Sequence, residues 1–315
     1  MLLYHTYPFA QSIDPSIATI GNFDGMHKGH INLLNDLKQL AKEHALKSTI
    51  IIFEPQPLEY LSPDKKPFRL QSFREKFIIC RELNIDQMIC LRFDDNLANL
   101  SPTIFIEEIL KKHCQIKGLM IGEDFCFGRN RTGNVKFLQE YANSGNFILK
   151  IMPTVYDENK RISSTAIRLA LQQADFLTAA DLLQRPYTIS GKVVHGHKKG
   201  RILGFPTANI SLRSRHTKIN GVYGVRVNFS EKNQSWLGIA NLGSRPTIDD
   251  EKIKILEVFL FNAENLDLYG KRLEVEFLIK IRDEKKFTDL SSLKTQINKD
   301  IEFLQQWFDE KCIRN

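Results

Sequence analysis

His27 and His30 lie three residues apart in GNFDGMHKGH (residues 21–30), among three glycines and one aspartate. The stretch follows SIATI, a short β-like run, and precedes INLLNDLKQLAKEH, which has helical periodicity. At that spacing both imidazoles share one face of a helix's first turn. The first turn also presents free backbone N–H groups and the positive end of the helix dipole, a ready anion site. Gly21, Gly25 and Gly29 let backbone or ligand approach closely. These residues suit phosphate binding. They also suit half of a metal site, to which only Asp24 is near enough in sequence to add a ligand, or a pair of surface histidines with no role.

Further chemistry-bearing residues lie downstream. In ILEVFLF, strand alternation turns Leu256, Val258 and Leu260 one way and Glu257, Phe259 and Phe261 the other. A carboxylate in that setting is a rim residue or an arginine partner. PTAN offers oxygens of Thr207 and Asn209 to a hard cation, or is a turn where Pro206 breaks a strand. RISSTAIR puts Ser163, Ser164 and Thr165 where a helix N-cap is favoured, with Arg168 following.

Two scaffolds are legible around these residues. Before about residue 185, the runs SIATIG, STIIIF, QMICLRF, GLMIGEDF and ILKIMP alternate with helical stretches. Such alternation means βαβ units and a parallel sheet covered on both faces. GNFDGMHKGH then stands at the C-terminal end of the first strand, where open α/β sheets bind ligands. SSTAIRLALQQA and FLTAADLLQ close this half, and Pro186 stops the helix. Beyond it, TISGKVVHGH, PTANISL, GVYGVRVNF, SWLGIANLG, KILEVFLFN and KRLEVEFLIKI predict a small antiparallel barrel or sandwich. DLSSLKTQINKDIEFLQQWFDE predicts a terminal helix packed on it. The expected domains are 1–184 and 187–315, in keeping with about two domains for 315 residues.

Composition narrows the class. Apolar residues make up 42% and charged residues 26%, a soluble globular balance. No apolar run is long enough to span a bilayer. The start, MLLYHTYPFAQSIDP, lacks the basic-then-apolar pattern of a secretory signal. Five cysteines without a CxxC pair read as reduced intracellular thiols. The net charge of +7 suits anionic partners. The chain lacks the dense Lys/Arg clusters with interleaved aromatics of a nucleic-acid binder.

GNFDGMHKGH resembles the HxGH signature of the nucleotidylyltransferase superfamily. Its extended form, GNFDGxHxGH, resembles one branch closely: the prokaryotic bifunctional riboflavin kinase/FMN adenylyltransferases. HxGH alone is shared with class I aminoacyl-tRNA synthetases, but no KMSKS-like segment is present. FEPQP (53–57), GEDFCFGRNRTGN (122–134) and RISSTAIR (161–168) are similar to that family's motifs in order, and GRILGFPTANI (200–210) to its flavokinase signature. GVYGV, NLGSRPT, LEVFLF, DLYG and IRDEKKF continue the series, so the resemblance runs from about residue 16 to about 300.

The resemblance implies an N-terminal Rossmann-like nucleotidylyltransferase domain and a C-terminal flavokinase β-barrel with a terminal helix. It implies AMP transfer from ATP to FMN in the first half. His27 and His30 would stabilise charge there, while Gly21, Asp24, Gly25, Gly29, Ser163, Ser164, Thr165 and Arg168 hold phosphate. Asn22, Phe53, Pro55, Asp124 and Arg129 would hold the flavin. It implies riboflavin phosphorylation in the second half, with Glu257 taking the hydroxyl proton and Thr207 and Asn209 on Mg²⁺. Gly200, Arg201 and Gly204, beside Lys198 and Lys199, would form a flap over the ATP phosphates, which is not a Walker A loop. Arg282 and Phe287 would close over the flavin.

There are departures. The family strand around the base reads like EVHLLDF, whereas this chain has Phe259 for His and Asn262 for Asp. They leave open an adenylyltransferase with an impaired kinase half, and the charge leaves open a non-enzymatic flavin- or RNA-binding protein. The expected partners are riboflavin, FMN and ATP, with Mg²⁺, and no nucleic acid or membrane. The chain is expected to be cytoplasmic, and a monomer or weak oligomer.

Overall fold

The structure, a computed structural model, describes residues 1–5, 9, 12–145, 147–157, 160–195, 205, 207–212, 217–229, 234–245, 253–263, 266 and 268–311. Contacts divide the chain into two units, Met1–Pro67 with Phe73–Ser164, and Phe68–Ser72 with Thr165–Asn315.

The first unit holds strands β1 (Leu2–His5), β2 (Ser16–Ile20), β3 (Lys47–Glu54), β4 (Gln87–Arg92) and β5 (Ile116–Gly122). Two short ribbons, β6 (Cys126–Phe127) with β7 (Gly133–Asn134) and β9 (Tyr156–Asp157) with β10 (Lys160–Arg161), flank β8 (Ile148–Met152). Six strands make one parallel sheet in the order β1-β4-β3-β2-β5-β8. Its helices are α1 (Lys28–Glu43), α2 (Pro57–Leu61), α3 (Phe73–Glu82), α4 (Asp95–Ala98), α5 (Pro102–Ile104) and α6 (Val135–Asn143).

β2 is central, and all five of its residues are buried. Ile17 packs with Leu34, Ile50 and Met88 on one face, and Ala18 and Ile20 pack with Ile51 and Ile89 on the other. Two covered faces explain why SIATI shows no polar alternation. From β2 the chain passes to β3 on one side, while β5 pairs on the other. That reversal opens a crevice above the C-terminal end of β2.

The sequence reading missed β1. Its LLYH buries only Tyr4, so it carries no periodic apolar signal, and GNFDGMHKGH follows the second strand rather than the first. TIFIEEILKKH is helical as expected but continues from α5 as a π-helix over Phe105–His113, in which the Cys114 N–H reaches the Ile109 carbonyl at 2.9 Å. Burial pushes the Cys80 and Cys114 thiols up to about 12, which leaves them protonated and poor nucleophiles.

In the second unit β11 (Thr188–Val194), β12 (Thr207–Ser211), β13 (Gly221–Phe229), β14 (Gln234–Arg245), β15 (Ile253–Leu260) and β16 (Arg272–Arg282) form a closed antiparallel barrel, β11-β12-β15-β14-β13-β16. β16 pairs back onto β11, so the barrel alternative holds over the sandwich. Helices α7 (Ser164–Gln172) and α8 (Phe176–Leu183) were expected to close the first half. Instead Ile167, Leu171, Phe176 and Leu183 share one core with Tyr187, Tyr223 and Phe277 of the barrel unit.

The C-terminal helix α9 (Leu290–Glu310) lays Leu304 and Phe308 against Val222, Leu237 and Ile239 on the outer wall. Gly224 permits this approach, since a Cβ there would stand 2.4 Å from Leu304 Cδ2. Arg282 pins the helix, its Nε and Nη2 donating to the Asp300 carboxylate at 3.0 and 2.8 Å. Asp300 is buried and also accepts from Gln296. Asp300→Ala strands the Arg282 charge and is expected to destabilise the unit by about 3 kcal/mol. Thermal unfolding checks this, as a drop of several degrees.

Candidate functional site

Above β2 the chain turns sharply. Phe23 (φ 46°), Gly25 (φ 88°) and Met26 (φ 43°) all adopt left-handed backbone within four residues. Glycine does so freely, but an L side chain costs about 1–2 kcal/mol there. Both Phe23 and Met26 are buried in the core beside α1, and burying such side chains contributes about 1.5–3 kcal/mol each. Core anchoring therefore outweighs the strain and fixes the turn. At its base the Gly21 N–H donates to the Ile51 carbonyl at 3.2 Å.

The turn delivers His27 to the N-cap of α1, where its Nδ1 accepts the His30 N–H at 3.3 Å. A neutral imidazole accepting at Nδ1 carries its proton on Nε2, which can then donate. His30 stacks on His27 with ring centroids 3.6 Å apart and planes 16° apart. Phe23 closes against His30 at 5.0 Å. The two imidazoles share a face, as the spacing predicts. No acidic residue sits in the first turn of α1, where Gly29 lies, so nothing there opposes an anion.

RISSTAIR meets GNFDGMHKGH. Ser164 Oγ donates to the carbonyl of Asp24 at 2.7 Å, and Asp24 is only 3% exposed. Ser163 and Ser164 are half-buried and Thr165 exposed at the start of α7. Arg168 donates through Nε to the Phe68 carbonyl at 2.8 Å, its guanidinium over the Phe68 ring.

Of the residues expected to hold the flavin, Phe53 is next to last in β3 and meets Phe93 edge-on at 5.7 Å, with Pro55 just beyond the strand. Asp124 is exposed and pairs with Arg161 at 2.5 Å, which links GEDF to the RISST segment. Arg129 is anchored by its backbone N–H to the Leu100 carbonyl at 2.7 Å, with its side chain exposed.

In the barrel, register assembles a polar row. Asn209 on β12 lies opposite Glu257 on β15, and Glu257 lies opposite Asn241 on β14. Directly paired residues present side chains on one face. Leu256, Val258 and Leu260 are buried inward, and Glu257 is half-buried on the other face, as alternation predicts. Thr207 lies opposite Phe259 on the same face.

Phe259 stands in an aromatic column. It meets Phe205 at 5.3 Å and Phe261 at 5.7 Å, and Phe261 meets Phe308 of α9, beside Trp307. The departure from His is thus absorbed by packing. Asn262 follows β15 with φ 53°, a left-handed position that Asn and Asp both tolerate.

Asn209 fits a cation. It is 8% exposed, and among the described residues its buried Oδ1 has no hydrogen-bond partner, while Nδ2 points to the Thr207 carbonyl. A buried acceptor with unused lone pairs is costly unless a ligand meets it. Among the described residues no group of three His, Cys, Asp or Glu side chains gathers as a metal cage. A hydroxyl, an amide oxygen and a carboxylate instead suit Mg²⁺ that arrives with phosphates and keeps waters.

Gly200, Arg201 and Gly204, with Lys198 and Lys199, lie outside the described residues. Arg282 is engaged with Asp300, and Phe287 lies beneath its guanidinium at 5.9 Å. Sequence reasoning missed Asn241, whose place depends on strand register, and Arg161, the partner of Asp124. It also missed Lys76, whose signal was a lysine on the apolar stripe of α3, four residues before Cys80.

Comparison with known proteins agrees with both halves. A family model described as FAD synthetase matches residues 10–166, and one described as riboflavin kinase matches residues 183–308. The bifunctional riboflavin kinase/FMN adenylyltransferase of Haemophilus influenzae is 42% identical over 92% of this chain and 94% of its own. The Escherichia coli K12 protein of the same description is 42% identical over 90% of each. A solved structure described as a macrolide-efflux protein from Streptococcus pneumoniae superposes with TM-score 0.78 at 28% identity, over 98% of this chain and all of that one. Among the described residues no helix is long and apolar enough to cross a membrane. A parallel sheet with a histidine pair over its switch point, a closed barrel with a carboxylate between two amides, and relatives matched nearly end to end agree: the chain belongs to the bifunctional riboflavin kinase/FMN adenylyltransferase family.

Proposed function

We propose that the chain phosphorylates riboflavin to FMN with ATP and then transfers AMP from a second ATP to FMN, giving FAD and pyrophosphate. The observation that carries this reading is the pairing, on one chain, of the stacked His27–His30 site with the Asn209–Glu257–Asn241 row.

The two chemistries differ in their nucleophile. In the first unit an FMN phosphate oxygen attacks the α-phosphorus of ATP, and pyrophosphate leaves. That oxygen is already anionic, so no base is needed, and catalysis rests on position and charge stabilisation. His27 and His30 supply donors at the N-terminal end of α1. In the second unit the ribityl hydroxyl is neutral. Glu257 takes its proton as the oxygen bonds to the γ-phosphorus and ADP leaves. Mg²⁺, when bound, neutralises phosphate charge, and Thr207 and Asn209 are the residues that would hold it. Phe53, Pro55, Asn22, Asp124 and Arg129 would cradle FMN, and Phe287 and Arg282 would border riboflavin.

Incubation with riboflavin, ATP and Mg²⁺, followed by chromatography, should show FMN and then FAD. A chain that formed neither would overturn the reading. We read the chain as cytoplasmic and as a monomer or weak oligomer. It acts on small phosphorylated ligands, which the +7 charge suits, rather than on nucleic acid or a membrane.

We propose that the boundary between activities lies at 184–187. A fragment of 187–315 should phosphorylate riboflavin but melt lower than one of 165–315, because α7 and α8 fill the barrel unit's core. A folded 187–315 fragment without kinase activity would move the boundary.

A further inference from the structure

Lys76 lies on α3 among Phe73, Phe77 and Cys80, and it is 1% exposed. Burying an ammonium has an effective cost of several kcal/mol unless the surroundings compensate. Its Nζ donates to the carbonyl oxygen of Asn22 at 2.5 Å, a short, charge-assisted bond. Asn22 belongs to the left-handed turn that carries His27 to the head of α1.

That carbonyl and the N–H of Phe23 belong to one peptide group. In a trans amide the two point in opposite directions. A cation held at the oxygen polarises the amide and strengthens its N–H as a donor on the far side. That N–H belongs to the turn that leads to His27, His30 and the first turn of α1. The same bond holds the peptide that precedes the left-handed Phe23.

We propose that Lys76 is a positioning residue for adenylyl transfer, its buried charge acting through the Asn22–Phe23 peptide on the phosphates that bind above it. This rests on the adenylyltransferase reading of the first unit. It predicts a selective loss for charged ligands.

The test compares wild type with Lys76→Gln, Lys76→Met and Lys76→Arg in the full chain. Four quantities are read: kcat for FAD formation from FMN, inhibition by pyrophosphate, affinity for neutral adenosine, and riboflavin phosphorylation. Lys76→Gln and Lys76→Met should lower kcat at least tenfold and weaken pyrophosphate at least tenfold. Adenosine affinity and riboflavin phosphorylation should stay within twofold, and Lys76→Arg should recover most of the loss. Wild-type kcat and pyrophosphate inhibition in Lys76→Gln would overturn the proposal. So would equal loss of adenosine and pyrophosphate, which marks a scaffold role. A wild-type chain that makes no FAD would remove the underlying reading instead.

Discussion

Glu257→Gln is expected to lower riboflavin phosphorylation by about two to four orders of magnitude, within the range of a lost general base. The substitution keeps shape and removes only the proton acceptor, between Asn209 and Asn241 on the barrel wall. FAD synthesis from supplied FMN should persist, because that nucleophile is already anionic. Phe259→His should change kinase turnover far less, since Phe259 packs between Phe205 and Phe261 and carries no proton-accepting group. Separate assays of the two reactions decide the matter. Near-normal phosphorylation by Glu257→Gln would make the carboxylate structural and require another way to activate the hydroxyl.

His30→Ala should produce the opposite selectivity. FAD formation should fall about a hundredfold or more, as when one donor is removed from a charge-stabilising site. FMN formation should barely change. The effect is large because His30 is stacked on His27 at the head of α1, so its loss removes both a donor and the ring that holds its neighbour. Equal loss of both activities would point to a folding defect.

What could be read in advance follows from which forces are local. The alternation of SIATIG and STIIIF with helical stretches declared a parallel sheet, and the shared face of the two histidines followed from a spacing of three. The placing of Glu257 on the face opposite Leu256 and Val258 followed from strand alternation. Long-range pairing was not legible. Asn241 joins Glu257 only through register between strands more than ten residues apart, and barrel closure depends on β16 reaching β11. The allegiance of α7 and α8 was hidden because an amphipathic helix states that it needs a partner, not which one. Lys76 was overlooked because lysine reads as solvent-facing, and only the fold shows it buried beneath the turn. The family motifs named the turn but not its three left-handed residues.

The aromatic column ends at Trp307, and the chain's other tryptophan, Trp236, lies on β14. Both belong to the barrel unit, and the parallel-sheet unit has none. Indole emission therefore watches one half of the molecule, whereas far-ultraviolet circular dichroism watches both. Any gap between the two optical melting curves measures how independently the halves come apart, with no label attached and no residue changed.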